Sequence, residues 1–190
     1  MNKAELRKLY LEKRAALTEN VATGSSQRIA ARFFADVSLT GVNRLHTFIP
    51  IRRFNEVDTS LIYRRLWRDF PSIATYAPRI DATRTRLDTV RLTERTALTE
   101  NKWGIREPVG EDSITPDQLD LVLVPLLCFD HLGNRLGYGK GFYDRMLAKC
   151  RPDCVKVGLN YFSPIGKIPE IHDGDVRLDV SVTPDELFRF

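Results

Sequence analysis

The sequence contains few of the residues that build disulfides or metal centres. It has only three cysteines and three histidines in 190 residues. An odd number of cysteines without a Cys-x-x-Cys pair argues against a disulfide framework. Neither Cys150 with Cys154 nor Cys128 with His131 completes a four-ligand zinc set at the usual spacing. The histidines form no catalytic constellation and receive no role.

Long apolar runs are missing as well. No stretch approaches the ~20 apolar residues that a membrane helix needs. The first residues, MNKAELRKLYLEKR, are charged, whereas a secretory signal contains an apolar segment. We therefore expect no membrane partner and a cytoplasmic location. Hydrophobic residues make up 43% of the chain and charged residues 28%, which is typical of a folded soluble domain. The length fits one domain over residues 1–190.

The positive charge is modest and interrupted. The formal net charge is +4, and the densest basic stretch, residues 52–95, alternates with acidic residues. That pattern is more typical of a solvated face than of a nucleic-acid track, so no nucleic-acid partner is expected. A weak positive field would still attract a small anionic ligand.

Apolar periodicity and turn residues predict helices and strands in alternation. One helix is predicted over residues 4–17, a second is capped by Ser25 and Ser26, and a third is capped by Asp58 or Thr59 and ends at Pro71. The remaining predictions are strands at 45–49, 73–77, 87–92, 119–124, 155–159 and 176–182, a buried apolar run at 121–129, a helix at 142–149, and loops at 93–118 and 161–174. This alternation predicts an α/β domain with a largely parallel sheet.

The segment RLGYGKGFYD, residues 135–144, carries the clearest chemical signal. Gly137, Gly139 and Gly141 alternate between an apolar run and a predicted helix, and glycines let backbone N–H groups approach an anion closely. Arg135 and Lys140 add two cations to these donors, which favours phosphate binding. A tight turn without a ligand is the alternative.

The spacing excludes the two commonest nucleotide loops. A Walker A loop needs a glycine where Asn134 stands, and the Rossmann fingerprint is G-x-G-x-x-G, whereas this chain has G-x-G-x-G. The loop therefore belongs to another class of phosphate site.

Several segments together resemble the 5-formyltetrahydrofolate cyclo-ligase family. They are Lys3-x-x-x-Arg7 with the basic helix continuing to Arg14, IPIRRFNEVDT, WGIREP, VPLLCFDHLGNRLGYGKGFYDRML and HDGDVRLDVSVTP. The resemblance implies a single-domain, Rossmann-like three-layer α/β sandwich with a mostly parallel sheet. It also implies an ATP-dependent ligase that phosphorylates the formyl oxygen of 5-formyltetrahydrofolate. Attack by N10 of the same folate would then give 5,10-methenyltetrahydrofolate, ADP and phosphate. No side-chain nucleophile is needed for that reaction.

The resemblance assigns roles to individual residues. Lys140 and Arg135 would be catalytic, and Mg²⁺ would be held by Asp144 and Asp175, with Asp173 and Asp179 as competitors for the second position. ATP would be bound by Lys3, Ala4, Arg7, Arg135, Leu136, Gly137, Tyr138, Gly139, Lys140, Gly141, Phe142 and Tyr143. The folate would be bound by Ile51, Glu56, Tyr138 and Phe142. Ordinary alternatives stay open, because charged residues on a terminal helix and aromatic residues at helical spacing are common in structural roles.

Two further expectations complete the prediction. Arg52 and Arg53 precede Glu56, which suggests as a hypothesis a preference for folates with a polyglutamate tail. The protein is expected to act as a monomer. The competing functions are a sugar-phosphate isomerase or acyl-CoA transferase, which would need no ATP, and a non-catalytic folate-binding or RNA-binding protein.

Overall fold

The computed structural model describes residues 1–83 and 85–190, so Arg84, in the basic stretch, lies outside the described residues. The helices are α1 (Lys3–Ala15), α2 (Glu19–Asp36), α3 (Ser60–Asp69) and α4 (Phe142–Leu147). The strands are β1 (Arg44–His46), β2 (Ala74–Ile80), β3 (Leu87–Arg91), β4 (Leu98–Glu100), β5 (Arg106–Pro108), β6 (Ser113–Ile114), β7 (Leu121–Pro125), β8 (Cys128–Phe129), β9 (Arg135–Leu136), β10 (Val155–Leu159), β11 (Val180–Val182) and β12 (Leu187–Arg189). Two 3₁₀ turns cover Arg52–Phe54 and Pro116–Gln118.

One eight-stranded sheet organises these elements, in the order β12-β11-β10-β7-β1-β2-β3-β6. The central strands from β11 to β2 are all parallel to their neighbours. The edge pairings, β11 with β12, β2 with β3 and β3 with β6, are antiparallel. The predicted α/β class with a mostly parallel sheet is therefore confirmed.

Helices cover both faces of the sheet, and the central strand β7 shows why. Its side chains alternate, so Leu121 and Leu123 pack in one core with α2 and α3. Val122 and Val124 pack in a second core with α4. A strand buried on both faces must be apolar throughout, and β7 is. The sandwich has three layers, as predicted.

The direction of winding reverses between β1 and β7. The chain passes from β1 to β2 on one side of β1, and it later returns to place β7, β10 and β11 on the other side. Such a reversal opens a crevice beyond the carboxyl ends of the two strands, where ligands bind in open α/β sheets. The segments that follow β1 and β7 carry Glu56 and the glycine loop, so both begin at this crevice.

The start of the second helix was predicted wrongly. It begins at Glu19 rather than near Ser25, because the Thr18 hydroxyl accepts a hydrogen bond from the Val21 N–H at 3.4 Å and caps the helix there. The Ser26 hydroxyl instead bonds the Tyr161 hydroxyl at 2.9 Å. At the third helix, the Asp58 carboxylate accepts from the Ser60 N–H at 3.0 Å, whereas Thr59 makes no capping bond.

Several other boundaries differ from the prediction. The strand predicted over residues 45–49 ends at His46, and the helix predicted over 142–149 ends at Leu147. Residues 93–118 contain β4, β5 and β6 in addition to loops. The apolar run 121–129 is divided between β7 and β8, and β8 pairs with β9 in a separate hairpin. The last predicted strand is shorter, because the N–H of Leu178 bonds the Gly133 carbonyl at 2.9 Å rather than a neighbouring strand. No helix in the described ranges combines the length and the apolar content that crossing a membrane demands.

Candidate functional site

The glycine loop lies between the hairpin strand β9 and α4, not directly after a strand of the main sheet. Gly139 and Gly141 have φ of +85° and +65°, values that residues other than glycine rarely adopt. Gly141 is the residue that precedes α4 and caps it. Lys140 stands between them with its side chain exposed, so the loop presents an accessible cation.

The first helix packs directly on this loop. Leu6 and Tyr10 share a buried core with Leu136, which holds α1 beside β9. The Arg7 Nε donates a hydrogen bond to the Gly137 carbonyl at 3.0 Å. A Cβ on Gly139 would stand 3.0 Å from the Arg7 guanidinium carbon, so only glycine lets the arginine lie this close. Ala4, in the first turn of the same helix, is exposed.

The two candidate metal ligands are adjacent in space. The Asp144 Oδ1 accepts from the Arg135 Nη2 at 2.8 Å and from the Val176 N–H at 3.2 Å, so its carboxylate touches the residue after Asp175. The Asp175 Oδ2 accepts from the Lys3 Nζ at 2.8 Å. Hydrogen bonds lower the pKa of Asp175, although its partial burial acts in the opposite direction.

The donor set suits Mg²⁺. Each carboxylate uses one oxygen for its cationic partner, and within the described ranges its second oxygen accepts no hydrogen bond. One or two carboxylates beside a phosphate loop are the usual protein ligands of this ion. Of the two competitors, Asp179 bonds Lys156 near the start of β10, which is the edge of the sheet opposite the glycine loop. Asp173 is exposed.

Arg135 is largely buried and already has protein partners. Its Nη1 donates to the Val176 carbonyl, and its Nη2 forms the ion pair with Asp144, with 5% of the arginine side chain exposed. The two cations predicted for the loop therefore differ. Lys140 is open to a ligand, whereas Arg135 joins the loop to α4 and to the segment around residue 176.

Glu56 is buried beneath the loop and accepts two hydrogen bonds. Its Oε2 accepts from the Ile51 N–H at 2.7 Å, and its Oε1 accepts from the Tyr138 hydroxyl. Burial raises the pKa of Glu56, and the nearby charge of Arg14 and the two hydrogen bonds act against that rise. Three predicted folate residues, Ile51, Glu56 and Tyr138, are thus brought together.

Arg14 received no site role from the sequence but lies at the centre of this group. It is only 2% exposed, and its Nη1 donates to the Tyr138 hydroxyl at 2.8 Å. A signal for it exists in the sequence. At 3.6 residues per turn, positions 3, 7 and 14 fall within about 40° of one another, so these three of the five cations of α1 face the same side.

The aromatic residues have different surroundings. Tyr138 stacks on Phe54 with ring centroids 5.1 Å apart, and Phe142 lies 5.1 Å from the Arg145 guanidinium. The Tyr143 ring meets the buried His46 edge-on at 5.9 Å. Among the described residues, the Tyr143 hydroxyl and both His46 nitrogens have no hydrogen-bond partner. Burial lowers the pKa of His46 to about 3.

Two cavities border these residues. One of about 340 Å³ lies on the α2 side of Glu56 and is lined in part by Ser26, Asp58 and Tyr161. The other, of about 360 Å³, is lined by Pro50, Arg52, Arg53, Glu100, Gly104 and Arg106. The second cavity is strongly cationic and lies along the segment that leads to Glu56. Groups of three or more metal-ligating side chains do not occur within residues 1–83 and 85–190.

Known proteins resemble this chain over most of its length. The Schizosaccharomyces pombe protein named probable 5-formyltetrahydrofolate cyclo-ligase is 39% identical over 108 residues, which is 49% of this chain and 52% of that protein. The match thus spans about half of that relative. The Mus musculus 5-formyltetrahydrofolate cyclo-ligase is 30% identical over 155 residues, 78% of this chain and 74% of that protein.

The fold has solved counterparts as well. The NMR structure of Aquifex aeolicus 5,10-methenyltetrahydrofolate synthetase is similar with a TM-score of 0.85 and 28% identity, over 100% of this chain and 93% of that one. The sequence profile of the 5-formyltetrahydrofolate cyclo-ligase family matches residues 1–184. With its glycine loop, its basic first helix and its buried glutamate in one crevice, the chain belongs to the 5-formyltetrahydrofolate cyclo-ligase family.

Proposed function

We propose that this protein is an ATP-dependent ligase that converts 5-formyltetrahydrofolate to 5,10-methenyltetrahydrofolate, with release of ADP and phosphate. One observation carries the proposal. Tyr138, in the glycine loop, donates a hydrogen bond to the buried Glu56. This contact places the loop proposed to bind phosphate directly beside the carboxylate proposed to bind the pterin. The family and the similar proteins support the same activity.

The chemistry requires two ligands held side by side. The formyl oxygen is a poor leaving group until the γ-phosphate of ATP is transferred to it. N10 of the same folate then attacks the formyl carbon, and the phosphorylated oxygen leaves as inorganic phosphate. Because N10 belongs to the same molecule, the entropic cost of bringing it to the formyl carbon is smaller than for a reaction between two separate molecules. The protein has to align the phosphate with the oxygen and stabilise the developing charge.

The phosphates of ATP would lie on the glycine loop. The exposed Lys140, the backbone N–H groups from Gly137 to Gly141, and Arg7 and Lys3 of α1 converge there, so several positive groups face one region. Arg135 would act on the phosphates while it holds the loop to Asp144. Of the remaining predicted nucleotide contacts, Leu136, Phe142 and Tyr143 flank the loop in the sequence, and Ala4 lies in the first turn of α1.

Mg²⁺ would be held by Asp144 and Asp175. When bound, the ion neutralises phosphate charge and polarises the transferred group. The lysine and arginine partners of the two aspartates hold the carboxylates in place in the meantime.

The pterin would bind against Glu56. A carboxylate that accepts only two hydrogen bonds still has lone pairs free, and the N–H donors of a pterin ring match them. Ile51, Tyr138 and Phe142 would contact the rest of the folate. The cavity lined by Arg52, Arg53 and Arg106 would receive the anionic glutamate tail, and a longer tail would bind more tightly. Affinity that does not change with tail length would contradict this last point.

We propose that the monomer is the active unit.

The test is direct. The protein is mixed with 5-formyltetrahydrofolate and Mg-ATP, and the absorbance of the methenyl product is followed together with ADP release. Product formation that requires both ATP and the protein is expected. Turnover of a phosphosugar or acyl-CoA without ATP, or salt-dependent RNA binding without ATP turnover, would refute the proposal in favour of the other functions.

The Lys140→Met variant should fold normally and lose turnover. If it turned over normally, the placement of ATP on the loop would be wrong.

A further inference from the structure

A directed chain of hydrogen bonds runs beneath the proposed folate site, from Arg14 through Tyr138 to Glu56. The Arg14 Nη1 lies 2.8 Å from the Tyr138 hydroxyl, which in turn bonds the Glu56 Oε1. An arginine only donates and an ionised carboxylate only accepts, so the order of donation is fixed. The hydroxyl accepts from the guanidinium and donates its own proton to the carboxylate.

The arginine is fixed by contacts that leave it little freedom. It is 2% exposed, and its Nη2 donates to the Leu126 carbonyl at the end of β7. Its own carbonyl accepts from the Asn55 side chain at 2.9 Å, next to Glu56 in the sequence. The arginine therefore bridges α1, the central strand and the loop before Glu56, all at the crevice described above.

Arg14 and Glu56 make no direct ion pair among the described residues. The tyrosine hydroxyl stands between the two charges. Both charges are buried, and a buried charge is costly unless a countercharge or hydrogen bonds compensate it. Within the described residues, both protein contacts of the Glu56 oxygens are donors, from Ile51 and Tyr138, which suits an ionised acid.

We propose that Arg14 is a positioning residue for the folate: acting through the Tyr138 hydroxyl, it keeps Glu56 ionised and oriented so that the carboxylate accepts hydrogen bonds from the N–H groups of the pterin. This inference rests on the proposed function, because it assigns Glu56 to the folate. Arg14 itself contacts neither substrate.

The proposal has a pH signature. The titratable or charged groups around Glu56 in the described part of the chain are Arg14 from α1, Tyr138 and Tyr143 from the loop and α4, Tyr161 after β10, and Glu19 and Asp58, which line the same cavity. Within this set, Arg14 is the only cation. Folate affinity should fall as the pH drops and Glu56 is protonated. Without the arginine charge, protonation occurs at a higher pH, so the loss of affinity should begin at a higher pH.

The experiment measures the dissociation constant of 5-formyltetrahydrofolate without nucleotide, by calorimetry from pH 5 to pH 9. The variants are Arg14→Met, Tyr138→Phe and their double mutant. Lys8→Met is the matched control, because Lys8 is an exposed cation on the same helix. In Arg14→Met, the midpoint of the affinity loss should move to higher pH by about one unit, so that affinity at a pH below both midpoints should fall about tenfold. Lys8→Met should match the wild type.

Tyr138→Phe provides a second arm if Arg14→Met does not fold, since it removes one hydroxyl and keeps the ring on Phe54. It should move the midpoint in the same direction, and the double mutant should be no worse than the more affected single variant, since both break one chain. An unchanged midpoint in both single variants, or additive losses in the double mutant, would overturn the inference. A wild-type protein that does not bind 5-formyltetrahydrofolate would instead refute the proposed function.

Discussion

The Nη2 of Arg135 lies 2.8 Å from the Oδ1 of Asp144, so the first cation of the glycine loop is paired with the acid of the helix that follows it. The second cation, Lys140, forms no ion pair or hydrogen bond within the described residues, and its side chain is exposed. Two basic residues that look equivalent in the sequence therefore have different energetic roles.

Arg135→Met should lower the free energy of unfolding by about 2 kcal/mol, because the Asp144 carboxylate and the partly buried Val176 carbonyl both lose the hydrogen bond that the arginine donates. Lys140→Met should change it by less than about 0.5 kcal/mol, as expected for an exposed position. Urea unfolding of the two variants at neutral pH tests the difference. Equal losses of stability in both would contradict the pairing seen in the structure.

Gly139→Ala should weaken ATP binding. The new Cβ would stand 3.0 Å from the Arg7 guanidinium carbon, and φ of +85° strains any side chain. We expect a stability loss of about 1 kcal/mol and a displaced arginine. Gly137→Ala is the matched variant, since no atom lies within 4 Å of its Cβ. Denaturation together with calorimetry using a non-hydrolysable ATP analogue would measure both effects. A larger stability loss for Gly137→Ala would be inconsistent with this geometry.

The buried His46 should make stability sensitive to acid. Burial lowers its pKa from 6.5 to about 3 in the folded protein. Below pH 6.5, His46 therefore binds a proton in the unfolded chain but not in the folded protein. The free energy of unfolding consequently falls as the pH drops. Between pH 7 and pH 5 the wild type should lose about 2 kcal/mol more than His46→Leu. Urea unfolding at several pH values checks this, and parallel curves for the two proteins would show that the histidine is not the cause.

Two glycines in regular elements should respond in opposite ways to alanine. Gly24, inside α2, has open space around its Cβ position, so Gly24→Ala should stabilise the protein by about 0.5–1 kcal/mol. The Cβ of Gly158→Ala, in β10, would stand 2.6 Å from the Leu178 Cδ1 and 3.2 Å from the Leu126 Cδ2, both on buried side chains. That overpacking should cost about 1–3 kcal/mol. The melting temperatures of both variants test this prediction. Changes of the same sign in the two melting temperatures would contradict the packing around these glycines.

Much of the fold follows from local patterns. The strand at residues 155–159 was predicted at its observed bounds, because Pro152 and Asp153 precede it and its residues favour extended backbone. The start of α2 was predicted wrongly, because Thr18 and two serines are all good capping residues, and only tertiary contacts decide which of them caps the helix. The division of the run 121–129 into β7 and β8 has the same cause, since a continuous apolar stretch has no internal signal for where a hairpin leaves the sheet.

The site was predictable to a similar degree. Glycine spacing and the family resemblance identified the loop, the basic helix and Glu56 as parts of one site, and the structure brings them together. The role of Arg14 was not apparent, because its helical phase with Lys3 and Arg7 shows the direction it faces but not what it meets there. The ion-pair partner of Asp175, Lys3, is also far from it in the sequence.

Local chemistry therefore determined which segments would become strands, helices and a glycine-rich loop, since glycine, proline and apolar spacing act over a few residues. The three-dimensional fold alone decided that Arg14 lies behind Tyr138, that Arg135 pairs with Asp144, and that Lys140 is exposed. The first of these contacts depends on how α1 packs across the carboxyl ends of β1 and β7, and such packing joins residues more than a hundred positions apart.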